Sequence, residues 1–404
     1  MRKKTLLILG AGIDQSIGIK KAKRMGLRVI CCDINKNSPG FKIADGHEIV
    51  SIYDEREMLK FALRLNRKYK LNGVLTLGTD TSFIIAKITS ELGLPGPSLK
   101  TAFLATDKIE MKKYLLAHKI PVPWFSKVNS LSNLRKITND FDYNLVIKPA
   151  DSRGAFGVLK LSKKMNLEWA YHYAKSFSPT NRIIVEKFEE GPQNSTESII
   201  YDDFATTPGF SDRNYKDTKV FLPHLIENGG ELPSYLSKSQ KSAISSLAEK
   251  AAGVIGLNRW TAKGDMVLTK EGPKVIEIAT RLSGGFFSSL EIELSTGVDF
   301  VEAAINLALG VKPKLERLNP RTAKYICQRY FFLKSGKIKQ IKGVENLKNN
   351  KFVRYFKIWR KKGDIIPDMT SMHARSGVVI VQGSSRMDSI KKATEAIKAV
   401  NFIY

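Results

Sequence analysis

The chain has 404 residues, 43% of them hydrophobic and 26% charged, with a formal net charge of +27. That length is too great for one ordinary domain, and the composition is globular rather than disordered, so two to four domains with a sizeable core are expected. No apolar run approaches the ~20 residues a helix needs to cross a bilayer, and three cysteines without a CxxC spacing exclude a disulfide framework or a cysteine zinc site and fit a reducing cytoplasm.

The first elements alternate. Residues 5–9 form an apolar run ending in Gly10-Ala11-Gly12, which reads as a strand and its turn. The basic stretch before it, Met1 to Lys4, lacks the long apolar core and cleavage site of a signal peptide. A helix is expected over 17–25, a strand over 28–32 ending at Asp33, a helix over 55–69, a strand over 73–77 and a helix over 82–92. Strands alternating with helices imply a parallel sheet flanked by helices, and Pro95-Gly96-Pro97 closes this unit near residue 100. A helix follows over 107–118. Short strands at 145–148, 157–161 and 183–186 around a helix at 167–176 suggest a small α+β lobe over 122–190. Further strands and helices run to about 310, Pro313 and Pro320 bracket a linker, and residues 321–404 are expected to form a separate small domain.

Gly10-Ala11-Gly12 with Asp33 imitates a dinucleotide-binding fingerprint, but its third glycine would fall at Gln15, so the fingerprint is broken. More informative is Val146-Ile147-Lys148-Pro149-Ala150-Asp151-Ser152-Arg153-Gly154-Ala155-Phe156-Gly157, where a strand delivers a lysine into a Ser/Gly-rich loop. Such loops let backbone N–H groups approach phosphate while the lysine adds a point charge. Further on, Lys263-Gly264-Asp265-Met266-Val267-Leu268 and Lys274-Val275-Ile276-Glu277-Ile278-Ala279-Thr280-Arg281 read as two antiparallel strands. Asp265 and Glu277 could then converge as a carboxylate pair suited to magnesium. Arg281, beside Ser283-Gly284-Gly285, could clamp a phosphate or carboxylate bidentately.

Together these stretches resemble the ATP-grasp superfamily, most closely its branch of carbamoyl-phosphate-synthetase-like, biotin-carboxylase-like and L-amino-acid-ligase-like enzymes. The resemblance runs through Leu7-Ile8-Leu9-Gly10-Ala11-Gly12, Asp33 and Leu77-Gly78-Thr79-Asp80, through Thr106-Asp107-Lys108 with Lys148 forty residues on, through Val185-Glu186-Lys187-Phe188, and through Asp265, Glu277 and Arg281. It implies an α/β and α+β multidomain fold: a Rossmann-like preceding domain (1–100), an ATP-grasp domain (101–320) with its lid lobe (122–190), and a C-terminal α+β cap (321–404).

The resemblance also implies roles. Lys108, Lys148, Ser152, Arg153, Gly154 and Gly157 would hold the phosphates of ATP, and Glu186, Lys187 and Phe188 the adenine. Gln193 or Glu197 would contact ribose or phosphate. Asp265 and Glu277 would bind magnesium, with manganese as a substitute, although relatives carry asparagine where this chain has Ala279. Lys148 and Arg281 would act in catalysis, and Arg213, Arg281, Ser283 and Gly284 would face the substrate. His224, the 227–233 stretch, His373 and Arg375 could also face it, but solvated loops are their default reading.

The activity implied is a carboxylate–amine ligation through an acyl phosphate, with an ATP-grasp carboxylase or formate-dependent transferase as the alternative. The partners expected are ATP and a small carboxylate and amine, without a membrane. A homodimer is left open. The charge of +27 reads as a lysine-rich surface that also attracts anionic substrates. A basic nucleic-acid-binding protein on an inactive scaffold is the reading from another class. The short clusters Lys20-Lys21-Ala22-Lys23-Arg24 and Arg360-Lys361-Lys362 do not support it.

Overall fold

The computed structural model describes residues 3–404; Met1 and Arg2, half of the basic N-terminal stretch, lie outside the described residues. The first unit is a four-stranded parallel sheet in the order Gly46–Ile49, Arg28–Asp33, Thr5–Leu9, Leu71–Thr76. Thr5–Leu9 is buried at all five positions, as a central parallel strand covered on both faces must be. Helix Glu55–Tyr69 starts where Asp54 accepts from the Glu57 amide and buries Met58, Phe61, Ala62 and Leu65 on one face.

Gln15, which breaks the glycine fingerprint, donates to the Leu77 carbonyl, and Asp33 accepts from the Ala11 amide at 3.0 Å. Both side chains therefore fasten the turn itself. The edge strand Gly46–Ile49 escapes sequence reading because only alternate residues are half-buried. Helix Leu99–Thr106 is likewise additional to the predicted elements, and the helix expected over 107–118 begins after it, at Lys108.

The lobe is an antiparallel sheet in the order Phe125–Val128, Ile183–Lys187, Leu145–Pro149, Leu159–Lys160. Helices Leu131–Asp140 and Leu167–Ser176 complete it, around a core of its own that includes Leu134, Leu145, Ile147 and Val185.

The main sheet has eight antiparallel strands. Their order is Gly272–Ala279, Trp260–Thr269, Gln193–Tyr201, Phe204–Arg213, Gly230–Leu232, Tyr325–Tyr330, Gly377–Gly383, Val353–Ile358. The last three come from residues 321–404. That segment, expected from sequence as a small C-terminal domain, shares the central sheet through these strands. The reason is visible in the side-chain alternation. Val378 and Ile380 join the main core while Val379 and Val381 join a second core under helix Arg386–Lys398. A strand buried on both faces gives an unbroken apolar run, which does not reveal what it pairs with.

The first unit docks on the turn after Gly272–Ala279. Asp14 accepts from the amides of Gly285 (2.8 Å) and Phe286 (3.2 Å) and from the Ser289 hydroxyl (2.9 Å). Gly78 donates to the Leu282 carbonyl at 3.1 Å, and a Cβ there would lie 2.7 Å from the Gly284 Cα, so only glycine allows this approach. No helix among the described residues is long and apolar enough to cross a membrane.

Candidate active site

A cavity of about 750 Å³ lies between the lobe, the main sheet, the docked turns of the first unit and the 321–404 segment. Its floor is laid by register. Ser211, Ser195, Asp265 and Glu277 stand opposite one another across four neighbouring strands, so their side chains rise from one face. Lys263, two residues before Asp265, rises beside it and ion-pairs with it. Arg213 lies 3.2 Å from Asp265 and donates to Glu227 at 2.6 Å. Burial alone would raise the Asp265 carboxyl, but Arg213 and Lys263 outweigh burial and hold it below the usual carboxylate range. Glu277 is 4.0 Å from the Lys108 ammonium, which also donates to the Ser152 carbonyl at 2.8 Å. Lys108 is placed by Asp107, which caps the helix Lys108–Ala117.

Lys148 leaves its strand toward Glu186, 2.7 Å away. A third group, unforeseen from sequence, completes this cluster. Lys112 is fully buried 3.3 Å from the same Glu186 oxygen. Burial pushes its ammonium down to about 8, with Glu186 opposing and Lys148 adding to the shift. For Glu186, burial is outweighed by the two lysines, so it stays an anion. The available signal was the spacing of Lys108 and Lys112, four apart on one helix face. In the segment Val185-Glu186-Lys187-Phe188, the hinge between lobe and main sheet, Lys187 and Phe188 line the cavity, but their amides already donate to the carbonyls of Trp124 (2.8 Å) and Asn144 (3.0 Å). Glu186 also lines the cavity, with its carboxylate paired to the two lysines.

The loop after Lys148 places Ser152, Arg153 and Gly154 on the cavity wall. Gly154 and Gly157 have φ of +60° and +71°. Gly157 does not line the cavity. It closes the loop where a Cβ would meet Pro149 at 2.8 Å. Phe156 stacks on His373 (4.5 Å between centroids) and Arg153 lies 3.5 Å over the Tyr53 ring. The loop is thus held from both ends of the chain.

Arg281 is clamped by Asp80 of the first unit at 2.7 Å and 2.6 Å, donates through Nη1 to the Leu282 carbonyl at 3.1 Å, and lines the cavity wall with Ser283 and Gly284. Gln193 also lines the cavity, whereas Glu197 does not: its carboxylate accepts from the Ser283 amide beneath the turn. Arg375 is not a solvated loop residue, whereas His373 is exposed at the cavity's edge. Arg375 is 8% exposed, covers the Tyr330 ring at 3.7 Å and donates to the Glu227 carbonyl, and both line the cavity with Glu227. His224 packs edge-on against Tyr173 instead.

Glu197 makes a prediction. Burial pushes its carboxyl up to about 7 from the ordinary 4.5, against the opposing Ser283 hydrogen bond. The folded protein then keeps a proton that the unfolded chain has released between pH 4.5 and about 7. Stability accordingly falls as pH rises through that window, by about 3 kcal/mol over the whole shift. In melting curves taken across it, Glu197→Gln is expected to flatten this fall. A variant with the slope of the parent would place the titrating group elsewhere.

Residues 105–285 match the ATP-grasp domain family, and residues 329–404 match L-amino acid ligase C-terminal domain 2. The chain is 23% identical to carnosine synthase 1 of Homo sapiens over 78% of its own length and 41% of that protein's. It is 20% identical to formate-dependent phosphoribosylglycinamide formyltransferase of Prochlorococcus marinus, covering 98% of this chain and 96% of the other. Among solved structures, L-amino acid ligase from Bacillus licheniformis superposes with a TM-score of 0.87 at 20% identity, covering 100% and 99% of the two chains.

Proposed function

From the premise that the chain belongs to the ATP-grasp superfamily, we propose that it is an ATP-dependent carboxylate–amine ligase that works through an acyl phosphate. The observation that carries this reading is the cavity's two-sided lining. Buried lysines and a carboxylate pair meet under the lobe, and an arginine-rich acceptor wall is closed by the 321–404 segment. In the proposed reaction a substrate carboxylate oxygen attacks the γ-phosphorus of ATP, and the bond to the β–γ bridging oxygen breaks to release ADP. The amine nitrogen then attacks the acyl carbon, phosphate leaves with the acyl oxygen, and the amine proton passes to solvent.

Such phosphoryl transfer needs positioning and charge neutralisation more than covalent chemistry. Lys108 and Lys148 supply two fixed cations, and the Ser152–Gly154 backbone wraps the phosphates. The fork of Arg281, already oriented by Asp80, meets charge developing on the transferring group. The lobe, latched through Phe156 and Arg153, keeps out water that would hydrolyse the acyl phosphate.

Asp265 and Glu277 fit a magnesium ion: both are oxygen donors on one face of the sheet, and Asp265 is kept ionised by its neighbours. Magnesium is usually held by one or two carboxylates with phosphate oxygens completing its shell, so Ala279 is compatible with one nucleotide-bound ion. When bound, the ion would neutralise phosphate charge. Manganese shares this oxygen preference.

The reading is tested by ADP release over pairs of carboxylates and amines, with formate and bicarbonate included. Turnover that needs both partners is the expected result. Turnover with formate or bicarbonate alone would move the chain to the transferase or carboxylase reading. Salt-sensitive RNA binding without any ATP hydrolysis would replace the ligase reading by a nucleic-acid-binding one.

A further inference from the structure

Glu291 closes a π-helical turn, Phe287–Glu291, that follows Phe286 with its φ of +72°. The Phe286 carbonyl accepts from both the Leu290 and Glu291 amides, at 2.9 and 3.0 Å. Such turns re-aim a side chain relative to a regular helix and recur at functional sites. The result here is a carboxylate on the cavity wall that is only 2% exposed, whose Oε1 has no hydrogen-bond partner. No ion pair among the described residues includes it.

The charged groups that act on it are Glu227, Asp14, Glu231 and Arg329, none of them in the lysine-lined half of the cavity. The other three acids are satisfied within the protein. Glu227 is paired with Arg213, Glu231 with Arg329 and Arg386, and Asp14 holds two amides and a hydroxyl. Of the four, Glu291 is the one acid without a side-chain partner among the described residues. Buried polar groups without partners are costly and seldom persist without a task. Burial first, then the nearby acids, raises its carboxyl well above the ordinary value. A carboxylate without a partner is met by a donor, and a cationic donor makes the stronger contact.

We propose that Glu291 receives a second protonated amino group of the substrate, beyond the α-amino or reacting nitrogen, so that one of the two molecules joined is a basic amino acid or a diamine. The assignment rests on the ligase reading and names the substrate class for it. The contact is a charge-assisted hydrogen bond from ammonium to carboxylate.

Calorimetric titration of the full chain, with and without MgADP, tests it. The probes are L-lysine, L-ornithine and 1,4-diaminobutane, against L-norleucine, L-norvaline and butylamine, which lack the second ammonium. At least one probe with the second ammonium is expected to bind about tenfold more tightly than its counterpart. Glu291→Gln is expected to erase that preference while MgADP affinity stays within about twofold, a charge-assisted contact being lost without touching the nucleotide half. Glu291→Leu provides a second variant should the first fold poorly, and thermal melts confirm the fold of each. Equal affinity within every pair overturns the assignment, as does a preference that survives both substitutions. Failure of MgADP to bind the parent protein counts against the ligase reading instead. The nucleotide-free titrations still decide the role of Glu291.

Discussion

Lys148→Ala is expected to lower ATP-dependent ADP release by about 10²- to 10³-fold, the range seen when one fixed donor to developing charge is removed. The lysine is buried and anchored at 2.7 Å to Glu186, so its ammonium needs no reorganisation when phosphate arrives. Its removal has a second effect. Breaking a buried pair commonly costs about 3–5 kcal/mol because the surviving charge loses its partner. Here Lys112 still faces Glu186 at 3.3 Å, so the loss should lie at or below the low end of that range. Assaying well below the variant's melting temperature separates the two effects. Lys148→Met, which keeps most of the packing volume, should lose activity to the same degree. Undiminished turnover in both variants would remove Lys148 from the phosphate site.

Glu277→Gln is expected to abolish the benefit that magnesium gives to nucleotide binding and to cut turnover by about 10²-fold or more. The folded chain should barely notice. Glu277 is partly exposed and its nearest cation, Lys108, is 4.0 Å away, a contact worth little in water. Titrating ADP affinity against magnesium in parent and variant is the direct measurement. An unchanged magnesium response would sink the metal assignment. Asp265→Asn makes an instructive contrast. Its carboxylate compensates Arg213 and Lys263, both largely buried, so the same change of charge should also destabilise the fold.

The parts of this site that sequence makes legible are those where one short segment states its own task. A strand delivering Lys148 into a glycine loop is one. Another is a hairpin whose two strands carry one acid each, whose register then sets Asp265 opposite Glu277. What remained hidden depends on segments far apart in the chain. Lys112 looks like any helical lysine until Glu186, 74 positions later, is folded against it. Asp80 and Arg281 meet across 201 positions, and Arg375 reaches Glu227 across 148. Glu197 follows the hinge as a nucleotide ligand should, yet the turn at Ser283 folds over it and takes its oxygen. Glu291 carries no motif at all. Only its burial without a partner marks it.

The shared eight-stranded sheet bears on how such a protein can be recombined. The lobe enters and leaves the body near residues 122 and 190 and carries its own core, so it could be exchanged between relatives as a cassette. A junction at residue 320, where the sequence invites a cut, would divide a hydrogen-bonded ladder between Glu231 and Cys327 and bare the short strand Gly230–Leu232 as an open edge. The residues beyond that junction also bring Arg375 and His373 to the cavity. A chimera made there would need both sides of the ladder to come from one parent, which ties the choice of acceptor wall to the choice of sheet.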